Sequence, residues 1–350
     1  MQDVNTTSGE APEPLRRQDV ATWRPWRKGP GDLILVCAGG SIARFAYMAY
    51  LNWPLRRGRR YLPWVLGHIP GLSRQVRKAK FRSRFGGTVE LDMTSPQFHY
   101  LAGLFPSEPH ELSLMIRLIR PGDTFIDVGT NIGLYLAHLA QLLGQNGFYM
   151  AIEPDPENFA FLKRAYGHSR NVEMLDIAVS DRTGTAHLSR KNSLEGTLEA
   201  LPGITDTVEV RTRRLDELIA ARAGNNQIVL KIDVEGHEPA VIRGLTGLAE
   251  RGILPIMQIE YLPTNAGAHR KKIDQALHEV FGSKLSYYGI ANNANLLFPL
   301  EIGHPVDDDV LNILAIPPQM IERIEGIFSL PVDASEANTR ISLERGGADA

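Results

Sequence analysis

TFIDVGTNIG, residues 124–133, decides the fold. Thr124–Val128 reads as a strand, and Leu134–Leu143 behind it reads as a helix with an apolar stripe. Gly129 and Gly133 remove side chains from the connection, so the turn can form and backbone can approach a ligand closely. The helix start that follows offers free N–H groups and a positive dipole end. Asp127 sits at the strand's end, two residues before the first glycine. A carboxylate there suits a ligand with a cationic amine and repels a pyrophosphate. The loop also lacks the GxGxxG spacing of dinucleotide folds. Both features argue against NAD and for S-adenosylmethionine, which carries an ammonium and a sulfonium. Asp127, Gly129, Asn131 and Gly133 are therefore candidate cofactor-binding residues.

Outward from this loop, short apolar runs alternate with helical stretches, the pattern of βαβ units and a parallel sheet. Phe148–Ile152 reads as the next strand and Pro156–Tyr166 as the next helix. Glu153 ends that strand, where a carboxylate can accept from both hydroxyls of a ribose, a signal shared with NAD folds. Val172–Val179 reads as a third strand. At its tip Asp176 could accept from an adenine amino group and Ala178 leaves room for the ring; a plain strand end turning at Asp181 and Gly184 is the competing reading. His187 and Val208–Arg213 fall in a hairpin excursion. Ile228–Val234 is a strand, Glu238–Leu245 a short helix, Ile256–Tyr261 a strand and Lys271–Phe281 a helix. Leu285–Tyr288, Leu296–Phe298 and Val310–Ile316 close the domain as β pieces, an ending that fits the sheet of class I methyltransferases.

Five segments in this order resemble the FkbM family of S-adenosylmethionine-dependent methyltransferases: PGDTFIDVGTNIG (121–133), IEPDPENF (152–159), DIAVSDRTG (176–184), LKIDVEGHE (230–238) and QIEYLP (258–263). The lead-in FRSRFGGTVELD (81–92) is similar to the family's entry strand, and the resemblance covers about residues 81–316. Thr130 departs from the alanine frequent in the family; its side chain can face outward or donate its hydroxyl. The resemblance implies a Rossmann-like class I methyltransferase fold, α/β, with a mostly parallel seven-stranded sheet and an antiparallel terminal strand. It also implies O-methylation of a hydroxyl on a sugar, glycolipid or natural-product acceptor.

Methyl transfer to a hydroxyl needs in-line positioning and gains from a general base. The candidates at the end of the fourth strand are Asp233, Glu235 and His237, with Glu238 beside them. Lys231, Asp233 and Glu235 alternate and so share one direction, and strand ends at this edge face the ligand crevice. His237 could be the base; Asp233 or Glu235 could take that role or position the substrate; Glu235 and His237 could instead cap the next helix. A magnesium site at Asp233, Glu235 and Glu260 is a further alternative, although no metal is expected. Lys231 is expected to pair with an acid and Glu260 to form pocket wall. The acceptor pocket is expected to borrow from Asn192–Thr205, Tyr287, Tyr288 and Asn292–Asn295.

The remaining sequence is unevenly charged. The chain of 350 residues has a net charge of −2, is 43% hydrophobic and is 22% charged, an ordinary globular composition that excludes collagen, wholesale disorder and a polytopic membrane protein. Leu15–Arg84 carries about +14, whereas residues 85–350 carry −13. The basic arm suits an anionic membrane surface, reached through residues 33–84; no nucleic-acid motif accompanies it, and no nucleic acid is expected. Leu33–Leu51 is the one long apolar run, but Arg44 lies near its centre. It reads as a membrane span, a helix on a membrane surface, or a helix packed on the domain. The lone Cys37 excludes an intramolecular disulfide, and the protein is expected to be cytoplasmic, or peripheral to a membrane. Residues 1–30 read as disordered, 31–80 as a basic, partly apolar helical extension, 81–320 as the methyltransferase domain and 331–350 as a flexible tail. Two other functions fit less of the sequence: a non-catalytic membrane-associated adaptor retaining the fold, and an NAD-dependent oxidoreductase.

Overall fold

The computed structural model describes residues 35–37, 40–52, 61–83, 88–101, 109–190, 196–199, 203–220, 226–263, 267–291, 297–304, 306 and 310–324. The expected disordered N-terminus (1–30) and flexible tail (331–350) lie outside these residues.

The N-terminal part contains β1 (Leu35–Cys37), α1 (Ser41–Asn52), α2 (Tyr61–His68), α3 (Ser73–Arg77), β2 (Ala79–Ser83), β3 (Thr88–Leu91) and α4 (Pro96–Leu101). Then come α5 (Pro109–Leu118), β4 (Thr124–Val128), α6 (Leu134–Leu139), β5 (Phe148–Ile152), α7 (Pro156–Tyr166), β6 (Val172–Leu175) and β7 (Ala178–Val179). A hairpin region holds β8 (Gly184–Arg190), β9 (Gly196–Thr197) and β10 (Thr207–Arg213). It leads through α8 (Leu215–Ala220) to β11 (Ile228–Ile232), α9 (Glu238–Arg243), α10 (Thr246–Glu250) and β12 (Ile256–Glu260). The last elements are α11 (Ala268–Phe281), β13 (Ser286–Ala291), β14 (Leu297–Leu300) and β15 (Val310–Ile316), followed by a 3₁₀ turn.

The main sheet has the order β14-β13-β15-β12-β11-β4-β5-β6. β6, β5, β4, β11 and β12 are parallel, and β15 inserts antiparallel between β12 and β13. This is the Rossmann-like class I methyltransferase arrangement expected from the sequence, with one addition. β14 turns back on β13, placing Pro299 opposite Tyr288, so the sheet has eight strands rather than seven. Successive side chains of β4 alternate between the layers: Phe125 enters one buried cluster, Ile126 and Val128 the other. Helices α5, α6 and α7 cover the first face, and α8 to α11 the second.

The expected third strand is two strands. β6 pairs with β5 in the main sheet, whereas β7 pairs with β10 in a separate sheet of order β7-β10-β8-β9. The break falls at Asp176 and Ile177. The excursion read as a hairpin is this second sheet, built on the antiparallel β8–β10 pair.

The N-terminal extension is part of the same body. β1 pairs with β2, which pairs with β3, so residues on both sides of position 80 share one small sheet. Ala43, Ala46, Tyr47 and Tyr50 of α1 are buried in the cluster that also holds Phe125 and Tyr149. Phe98 of α4 is the joint: its ring lies 5.1 Å from Tyr50, 5.7 Å from Phe81 and 6.2 Å from Tyr47. Among the described residues, no helix is long and apolar enough to cross a membrane, and the inner face of α1 packs on the domain.

A shared core makes unfolding of extension and domain one event. Phe98→Ala should cost about 3–5 kcal/mol. Urea unfolding should still show one transition, with coincident midpoints by far-UV circular dichroism and near-UV aromatic signal. Separate melting of the extension would contradict the shared core.

Candidate functional site

The loop after β4 takes its shape from three residues with left-handed backbone: Gly129 (φ 86°), Asn131 (φ 54°) and Gly133 (φ 85°). At Gly129 the requirement is also steric, since a Cβ there would sit 1.8 Å from the carbonyl oxygen of Asp233 at the end of β11. The N–H groups of Gly129 and Thr130 both donate to Ile152 O, at 3.0 Å each. Thr130 is buried; its hydroxyl donates to Asp127 O (2.9 Å) and accepts from Ile152 N (3.0 Å). Thr130 thus ties β4 to β5. Gly133 lies against Tyr166, whose hydroxyl donates to Gly133 O, and forms the underside of the loop.

This loop floors a cavity of about 530 Å³ at the C-terminal edge of β4, β5, β11 and β12. The second sheet walls it with Ala178, Leu188 and Thr197, and α4 contributes Tyr100. Among the predicted residues, Gly129, Asn131, Glu153, Ala178, Asp233, Glu235 and His237 line it together, and so do Lys231 and Glu260. Gly196, Thr197 and Leu198 bring the predicted excursion into the wall.

Three predicted cofactor residues are placed differently. Asp127 lies beneath the loop, 1% exposed; its Oδ2 accepts from Tyr149 Oη at 2.6 Å, and its Oδ1 has no partner among the described residues. Gly133 shapes the loop from below without lining the cavity. Asp176 is exposed and ion-paired with Arg211 of β10 at 2.6 Å, because the chain leaves the main sheet at this residue. Tyr287 and Tyr288, expected near the acceptor, pack on the two cores instead, and Asn292–Asn295 fall outside the described residues.

Glu153 is held by two backbone donors: Asn131 N to Oε2 at 2.7 Å and Asp155 N to Oε1 at 2.9 Å. Burial nevertheless pushes its carboxyl up to about 7, with the two N–H donors only partly opposing. Asp155 is a residue the sequence reading missed. It caps α7 by accepting from Glu157 N and Asn158 N, and the run DPEN, an acid before Pro at the first helical position, is a legible capping signal.

On the other side, Lys231 Nζ meets Asp233 Oδ2 at 2.7 Å and lies 4.8 Å over the Tyr135 ring. Glu260 on the neighbouring strand is held well above the carboxylate range, first by burial and then by the charges of Asp233, Glu238 and Glu235. It therefore carries a proton at neutral pH. Asp233, Glu235 and Glu260 were weighed as a magnesium site; among the described residues, no three acids, histidines or cysteines form a group that could hold a metal.

Strand alternation does not carry through to Glu235. β11 ends at Ile232, and Glu235 (φ 54°) and Gly236 (φ 110°) form a left-handed turn. Glu238 builds that turn: it is fully buried, its Oε1 accepts from Val234 N (3.0 Å) and Gly236 N (3.1 Å), and its Oε2 meets His269 Nε2 at 2.8 Å. Glu238 is thus a positioning residue. His237 occupies the helix N-cap position but makes no side-chain cap bond. Its Nε2 contacts Ser180 Oγ at 3.0 Å, and its Nδ1 contacts Glu199 Oε1 at 3.1 Å.

Residues 127–283 match the family model for the methyltransferase FkbM domain. Over this stretch the chain is similar to FkbM methyltransferases. Two curated relatives are similar to it. One is the hexuronic acid methyltransferase AglP of Haloferax volcanii, 26% identical over 182 residues, 49% of this chain and 68% of that protein. The other is the 31-O-demethyl-FK506 methyltransferase FkbM of Streptomyces tacrolimicus, 30% identical over 159 residues, 36% of this chain and 61% of that protein. The chain thus spans about three fifths of the second relative. Among solved structures, a methyltransferase FkbM from Methylobacillus flagellatus is similar with a TM-score of 0.37 at 13% identity, over 78% of this chain and 58% of that one.

The cavity fits S-adenosylmethionine by its own chemistry. Five carboxyl groups line it (Glu153, Asp155, Asp233, Glu235 and Glu260) against one lysine already paired with Asp233, so even with Glu260 protonated the lining disfavours a diphosphate. The glycine loop that floors the cavity lets backbone approach a ligand closely.

Gly129→Ala should destabilise the protein by about 3 kcal/mol or more, since strain and a backbone collision act together. Thermal melts of the purified variant check this; a shift under about 2 °C would show that β4 and β11 can separate at no cost.

Proposed function

We propose that this protein is an S-adenosylmethionine-dependent O-methyltransferase acting on a hydroxyl of a sugar, glycolipid or natural-product acceptor. The observation that carries the reading is the acid-lined cavity over the Gly129–Gly133 loop, with Glu153 at the end of the adjoining strand. The names of the two curated relatives, one acting on a hexuronic acid and one at a 31-O position, support oxygen as the methyl acceptor.

When bound, S-adenosylmethionine supplies an electrophilic methyl group on a sulfonium. Glu153 receives the ribose hydroxyls and Ala178 leaves space for the base, both in the cavity wall. Lys231 fixes Asp233, and protonated Glu260 can donate a hydrogen bond to a bound ligand. His237 takes the proton of the acceptor hydroxyl at Nε2, where the acceptor replaces Ser180 Oγ, and Glu199 at Nδ1 offsets the positive charge that the imidazole gains.

Two measurements test these roles. Ribose hydroxyls donating to Glu153 stabilise its ionised form, so binding lowers a pKa that begins near 7 and releases a proton. Affinity for S-adenosylhomocysteine, measured by calorimetry, should therefore rise as pH increases towards about 7 and level off above it. Glu153→Gln should flatten that dependence and weaken binding about ten-fold or more; a pH-independent wild type would remove Glu153 from the ribose site.

For transfer itself, labelled methyl donor with a panel of uronic acids, glycolipids and polyketide alcohols should yield a base-stable methyl ether. His237→Ala should lower kcat about 10²–10⁴-fold with cofactor affinity unchanged. Cofactor binding without transfer to any acceptor in source extracts would favour the non-catalytic adaptor.

A further inference from the structure

The large apolar side chains left exposed among the described residues are confined to one place: Phe45 (63% exposed), Met48 (54%), Tyr61 (61%), Trp64 (54%), Val65 (45%) and Ile69 (40%). All belong to α1, to α2 or to the residue just after it, and none to the methyltransferase domain. Isolated exposed apolar residues need no explanation, but a cluster restricted to one element pair does.

The cluster has helical order. On α1, Phe45 and Met48 are three apart on the outer face, while Ala43, Ala46, Tyr47 and Tyr50 are buried on the inner one. On α2, Tyr61, Trp64 and Val65 repeat at three and four residues. The two helices pack against each other. Helix α1 is therefore apolar on both sides, one side serving the core and the other facing solvent. No helix of the described residues is long and apolar enough to cross a membrane, and α1 with 12 residues is about 18 Å long.

Charge identifies the occupant. The sequence joining α1 to α2 (residues 53–60) contains Arg56, Arg57, Arg59 and Arg60. Arg74, Arg77, Lys78 and Lys80 are exposed on the elements that follow α2. Apolar and aromatic side chains within a strongly basic segment match the acyl and headgroup layers of an anionic bilayer. Pairing this face with the same face of a second copy would bring two basic arms together.

We infer that α1 and α2 form an in-plane docking surface for an anionic membrane, with Phe45, Met48, Tyr61 and Trp64 entering the headgroup–acyl boundary. The surface is joined to the cavity: Tyr47 and Tyr50 on the inner face of α1 hold Phe98, and Tyr100 two residues later lines the cavity wall.

The test uses the full chain with vesicles of phosphatidylcholine and phosphatidylglycerol (7:3) and of phosphatidylcholine alone. Flotation should show at least about ten-fold stronger partitioning to the anionic vesicles, falling in 0.5 M salt. Phe45→Glu/Trp64→Glu should lose about ten-fold or more, with melting temperature and S-adenosylhomocysteine affinity unchanged. Should that double variant misfold, quenching by brominated lipid read as the difference between wild type and Trp64→Phe replaces it. Equal partitioning to both vesicles, full binding by the double variant, or no Trp64-dependent quenching would overturn the inference. So would a wild-type dimer by analytical ultracentrifugation that the double variant converts to monomer, without vesicle binding by either.

Discussion

The close approach of β4 and β11 is the constraint on which the site rests. With Gly129 backbone pressed against Asp233 O, no side chain fits between the two strand tips. The chain must then turn through left-handed conformations to begin α6, and its amides turn towards β5. Two of them bind Ile152 O and a third binds Glu153, so the same turn that closes the sheet edge also orients the carboxylate proposed for the ribose. Fold and cofactor geometry are one set of bonds here, which is why a methyl added at one glycine reaches both.

Around that turn the protein keeps more acid than it can leave ionised. Four of these carboxyls are managed by different means. Asp233 has a lysine, Glu153 has two backbone amides, Glu238 has two amides and a histidine, and Glu260 keeps its proton. With Asp233 and Glu238 paired and Glu260 protonated, the acids around the turn leave little positive charge to attract a diphosphate.

The sequence was informative where the determinants are local. The strand–glycine loop–helix unit and Glu153 could be read because each depends on neighbours within a few residues. Lys231–Asp233, two apart on one strand, was equally accessible. What escaped depends on partners far along the chain. Asp176 was assigned to the adenine pocket on the assumption of one continuous strand, but β10 captures the chain and pairs Arg211 with it, 35 residues away. Glu238 was placed among catalytic candidates because its clamp on the turn is completed by His269, 31 residues on. The contacts of His237 with Ser180 and Glu199 span 57 and 38 residues. Alternation put Glu235 on a strand that ends three residues earlier, since nothing in the spacing announces a left-handed turn at a glutamate.

The additional strand β14 has a consequence for solubility. A large open sheet invites edge-on addition of further chains, and its outermost ladder sets how readily that happens. Here the outermost segment is only four residues long, one of them the exposed Pro299 without an amide hydrogen. A short outermost segment that contains a proline offers an incoming strand few positions to pair with, which disfavours fibrous self-association at that margin.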